Sequence, residues 1–104
     1  MKFLVIERHR DSLTREVLEK VAPAMFAYHK KLTKLGKAQN WVLAGQPGGV
    51  VLYDVESNEE LAILVSGSPI YPYTTHEILP LWDPEKAAGY VETLVKQMKD
   101  LDVE

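Results

Sequence analysis

The sequence has no cysteine, so the fold uses no disulfide and the chain offers neither a thiol nucleophile nor a cysteine metal site. Its three histidines, His9, His29 and His76, lack the spacing of metal ligands, and no metal site is expected. Positive charge is not in excess. Lys and Arg number 12 against 15 Asp and Glu, a formal charge of −3, which argues against nucleic acid as a partner. Long apolar runs are missing too: Phe3 to Ile6 stops at Glu7-Arg8-His9, too early for the core of a signal peptide, and nothing approaches a membrane span. A cytoplasmic protein with no membrane partner is the expectation. Gly48-Gly49 lacks the pattern of a phosphate loop and is explained by a turn.

What is present suits a globular protein. Apolar residues make up 46% and charged residues 26%, far from the balance of a disordered chain. With 104 residues, one core is expected, and residues 1–104 are read as one domain.

Lys2 to His9 is short, apolar at its start and partly β-branched, the pattern of a strand. Asp11 and Ser12 are capping residues before a helix-forming region from Leu13 to Leu35, which Pro23 should kink or divide. Gly36 suits its left-handed C-terminal cap. Trp41 to Gly45 and Val50 to Val55 read as a hairpin through Gln46-Pro47-Gly48-Gly49, the pattern of a type II turn. Ser57 and Glu60 form a capping box for a second helix; a fourth strand follows from about Tyr73 to Leu79, after Pro69 and Pro72. Asp83-Pro84 opens a third, amphipathic helix, an extension over residues 84–100.

The order is α+β: a ferredoxin-like βαββαβ unit with a C-terminal helix. Right-handed crossovers place the first and third strands in the centre of a four-stranded antiparallel sheet, with both early helices on one face. The first three strands are apolar at both parities, so the second face also needs cover. A sheet from another subunit is preferred over the C-terminal helix folding underneath.

Asp54 to Leu61, then Ser66-Gly67, Pro69-Ile70-Tyr71-Pro72-Tyr73 and Glu77 to Leu81, resemble in order and spacing the C-terminal half of muconolactone isomerases. The looser similarity of Met1 to Val5, the Gly-Lys ending of the first helix, Trp41 and Gly45 extends the resemblance over roughly the first 81 residues. It implies a subunit pairing through its sheet into a dimeric α/β barrel, often in larger rings. It also implies a cofactor-free shift of a proton and double bond within an unsaturated lactone, in the context of aromatic degradation. The chain departs from the family at Ala38, Gln39, Asn40 and Gln46, where basic residues are usual for a substrate bearing a carboxylate.

Such chemistry needs a base of tuned pKa and donors for the developing enolate oxygen. Glu77 lies in the resembling segment at an acidic position and is the first candidate catalytic residue, with a structural ion pair as its alternative. Glu7 and His9 share a strand face with Phe3 and Val5 and are further catalytic candidates, with a solvated strand edge as theirs. Tyr28, Tyr53, Tyr73 and His76 are candidate substrate-binding residues, against the reading of the tyrosines as core. The lysines around His29 read as a solvated helix end. The leading function is thus isomerisation of a small unsaturated lactone or cyclic acid; the alternative is a non-catalytic module that binds a small molecule or assembles.

Overall fold

Strand β1, Lys2–His9, matches the expected span, and alternation along it sends Phe3, Val5 and Glu7 to one face and Leu4, Ile6 and Arg8 to the other. The computed structural model describes residues 1–101. Helix α1 spans Arg15–Lys34 and is capped by Thr14, whose Oγ1 accepts from the Val17 N–H at 3.2 Å. The expected caps, Asp11 and Ser12, lie in the turn before it. Pro23 does not divide the helix. Its end is as expected: Gly36 has a φ of 71°, and the N–H groups of Gly36 and Lys37 donate to the carbonyls of Thr33 and Leu32.

That cap delivers the chain directly into β2, which spans Ala38–Val42, three residues earlier than Trp41 to Gly45. Ala38 is buried opposite Tyr53 on β3, Gly48–Asp54. The hairpin turn is also longer than a type II turn. The Leu43 N–H donates to the Gly48 carbonyl at 3.0 Å, and both Gly45 and Gly48 have positive φ, 85° and 138°. Any Cβ at Gly48 would strike the Glu7 carbonyl oxygen, so this position holds β3 close against β1.

The capping box starts α2, Asn58–Ser66: Ser57 Oγ accepts from the Glu60 N–H, while the Glu60 carboxylate takes the Glu56 N–H and Lys37 Nζ. A 3-10 turn, Tyr71–Tyr73, replaces the expected start of the last strand, and β4 spans Thr74–Leu81. The order β2-β3-β1-β4 is antiparallel throughout, with β1 and β3 central. Pro80 therefore sits on an edge strand, where its missing N–H is tolerated. The inner face joins Phe3, Val5, Val51 and Tyr53 to Leu32 of α1 and Leu61 and Val65 of α2 in one core.

Helix α3, Pro84–Leu101, starts at Asp83 and Pro84 as expected, with Asp83 Oδ1 accepting from the Glu85 N–H. None of its residues is buried, and it does not fold beneath the sheet. The molecule is elongated, 61 × 30 × 25 Å, with a radius of gyration of 18.0 Å against about 13 Å for a compact chain of this size. The outer face of the sheet stays uncovered among the described residues. Across its centre run Leu52, Leu4 and Leu79, with Val50 and Ile6 beside them. No helix among these residues is long and apolar enough to cross a membrane.

Candidate functional site

Between the inner face and α1 lies a cavity of about 380 Å³. Leu18, Met25, Phe26 and His29 reach it from α1, Asn40 and Val42 from β2, Gly48, Gly49 and Val51 from β3, and Glu7 and His9 from β1; Ile70 and Thr74 complete the wall, while the Trp41 side chain, paired with Val50, turns to the other face. The spacing of Leu18, Met25 and His29 puts them on one side of the helix. The lining is mostly apolar, as ligand cavities usually are.

Glu7 dominates its chemistry. The register β3-β1-β4 places it between Gly49 and His76 in the interior of the sheet, where it is only 7% exposed. Its Oε1 has no hydrogen-bond partner. Burial raises its pKa above the ordinary carboxylate range. His76 Nε2 is 3.7 Å from that oxygen, too long for a hydrogen bond. Burial also lowers the His76 pKa, with Arg10 adding to the effect. An ion pair would shift both groups the other way, so desolvation prevails over attraction here.

His76 stands behind Glu7 rather than on the cavity wall. Its ring stacks on Tyr71 with centroids 5.0 Å apart, and its Nε2 lies 3.1 Å from Thr74 Oγ1. The Thr74 hydroxyl is also within reach of the Ile70 and Tyr71 carbonyls, each at 3.3 Å. The Nε2–Oγ1 hydrogen bond runs in the direction that the His76 tautomer sets.

The candidates from sequence therefore separate. Glu7 and His9 reach the cavity, His9 from an exposed position at its rim. Glu77 pairs with Ile6 in register, which puts it on the outer face, exposed, with Arg8 Nη1 at 3.4 Å from its Oε2. Of the tyrosines, Tyr28 donates its hydroxyl to the Leu64 carbonyl at 2.6 Å and braces α2. Tyr53 is fully buried in the core, its hydroxyl unpartnered and its pKa pushed well up by burial, with Glu7 and Tyr28 contributing. Tyr73 lies half-buried in the 3-10 turn, away from the cavity.

His29 reaches the cavity although sequence reasoning grouped it with the lysines beside it. Its Nδ1 is buried without a partner, and burial lowers its pKa. The signal that could have found it is its helical spacing from Met25 and Leu32, both turned toward the sheet. Among the described residues, no group of His, Cys, Asp or Glu is arranged to hold a metal.

A family model described as muconolactone delta-isomerase matches residues 1–86, which leaves most of α3 outside it. The Muconolactone Delta-isomerase of Acinetobacter baylyi is 41% identical over 56 residues, 53% of this chain and 58% of that protein. Muconolactone Delta-isomerase 1 of Acinetobacter lwoffii is 35% identical over 72 residues, 68% of this chain and 75% of that protein. The match to the first of these relatives thus spans less than two thirds of its length. Among solved structures, the 5-chloro-2-hydroxyhydroquinone dehydrochlorinase of Burkholderia phenoliruptrix, in complex with 2,5-dihydroxybenzoquinone, has a TM-score of 0.68 at 18% identity, covering 83% of this chain and 98% of that one. A crystal structure of muconolactone isomerase has a TM-score of 0.69 at 20% identity, covering 81% and 92%. At these identities the structural likeness establishes the fold alone.

Proposed function

This chain belongs to the muconolactone delta-isomerase family, and from that premise we propose that it moves a proton and a double bond within a small unsaturated lactone or cyclic acid, without a cofactor. The observation that carries this reading is the buried, unpartnered Glu7 oxygen in an apolar cavity. A carboxylate kept out of water, with its pKa raised, is suited to abstracting a carbon-bound proton that a conjugated carbonyl makes acidic.

Glu7 takes a proton from the carbon next to the conjugated system. The C–H electron pair moves through the double bond onto the carbonyl oxygen of the lactone, giving a dienolate, and the proton returns at the far carbon of the former double bond as the carbonyl re-forms. Substrate and product have the same atoms, so no co-reactant is consumed. His29 and Asn40, on the cavity wall, supply donors for the oxygen that gains charge. His76 stands behind Glu7 at 3.7 Å, and His9 stands at the rim.

The same reading assigns the uncovered outer face to self-association. Leu4, Leu52 and Leu79 form an apolar strip across three strands, the kind of surface that pairs with a second copy.

The test of the reaction is incubation with a panel of unsaturated five-membered lactones in deuterium oxide, following ultraviolet absorbance and deuterium by mass spectrometry. The expected result is migration of the double bond with deuterium entering at the carbon that gains hydrogen. Unchanged absorbance across the panel would favour a binding or assembly role instead.

A further inference from the structure

Among the described residues, the cavity wall carries no lysine and no arginine. Of the basic side chains on the flanking segments, Arg10 donates through Nε to the Thr74 carbonyl at 3.1 Å, Arg8 meets Glu77 on the outer face, and Lys37 Nζ meets Glu60 at 3.2 Å. Among the described residues, the one ionisable side chain buried in the wall as a potential anion is Glu7, there without a hydrogen-bond partner. A carboxylate brought into this space would lose its hydration, find no countercharge and face a like charge whenever Glu7 is ionised.

An uncharged ring meets the opposite conditions. Phe26, Met25, Leu18 and Val51 offer it apolar and aromatic contact, while the free Glu7 Oε1 and His29 Nδ1 offer hydrogen bonds to an oxygenated edge. A volume of about 380 Å³ lies near the lower end of the usual range for ligand cavities and limits the guest to a single ring with short substituents.

We propose that the ligand of this cavity is an uncharged, single-ring, oxygenated compound, and that the cavity discriminates against carboxylate-bearing analogues of it. This rests on the isomerase reading for the choice of a lactone and on the lining for the absence of charge.

The test is calorimetric titration of the full chain at pH 8 with two forms of one unsaturated lactone, the methyl ester and the free acid of the same side chain. The ester is expected to bind at least about tenfold more tightly, a difference of about 1.4 kcal/mol. In Glu7→Gln the gap should narrow, with the ester still bound, because the like charge is gone. An acid that binds as tightly as the ester, or a protein that takes up neither, would overturn the proposal. Ester binding without turnover would sink the isomerase reading and leave this one standing; turnover of a tightly bound acid would do the reverse.

Discussion

Glu7→Gln is expected to lower kcat for lactone isomerisation by about 10²- to 10⁴-fold, the usual contribution of a positioned acid or base, while leaving the protein at least as stable at neutral pH. The amide keeps the shape and cannot accept the proton. It also removes a buried group whose charged form has no partner. A residue retained for structure would give the reverse, little change in kcat and a loss of stability.

The pH dependence of unfolding sharpens this. Because the folded-state pKa of Glu7 is raised, the folded protein binds more protons than the unfolded chain between the ordinary carboxylate value and the raised one. Glu7 thus favours the fold at low pH, and this contribution is lost as pH rises through that window. His76 and His29, held below the ordinary histidine range, act oppositely: their contribution is present above that range and lost as pH falls toward their lowered folded values. In the native sequence these trends oppose one another. Glu7→Gln unmasks the histidines, so the variant should lose stability more steeply on acidification, as denaturant midpoints measured from pH 8 to pH 5 would show.

Leu4→Glu is expected to convert the proposed oligomer to single chains of 11.8 kDa by light scattering. Leu4 stands between Leu52 and Leu79 at the centre of the outer face, and a carboxylate there would be buried without a partner on association. Such burial costs several kcal/mol, enough to weaken pairing about 10³-fold. In the separated chain the same side chain reaches water, so the fold should persist by circular dichroism. An unchanged mass would show that association, if any, uses another surface.

How far the sequence revealed this arrangement differs between fold and site. Local rules worked where a single residue type decides the geometry: Gly36 at the helix end, Ser57 in its capping box, Pro84 at the first turn of α3. They misplaced β2 because the apolar run from Trp41 to Ala44 looks like a strand, whereas pairing starts at Ala38, just after Gly36, and the turn closed by the Leu43 N–H on the Gly48 carbonyl ends the strand at Val42. Alternation puts Glu77 on the face of Thr75, just as it puts Glu7 on the face of Val5. Only the register between β1 and β4 reveals that these faces are opposite, one outward and one against α1.

His29 was hidden by its neighbours. Lys30 and Lys31 mark a solvated surface, yet one step around the helix turns the imidazole to the sheet. The amphipathic pattern of α3 likewise requires cover for its apolar side without naming it, and among the described residues that side remains exposed.

The most direct measurement is a carbon-13 NMR titration of the Glu7 carboxyl carbon, assigned by its absence in Glu7→Gln, with and without an uncharged unsaturated lactone. A pKa above the ordinary glutamate range, moved further when the lactone binds, is the result expected of a buried proton carrier in a ligand cavity. An ordinary value that the lactone leaves unchanged would contradict it.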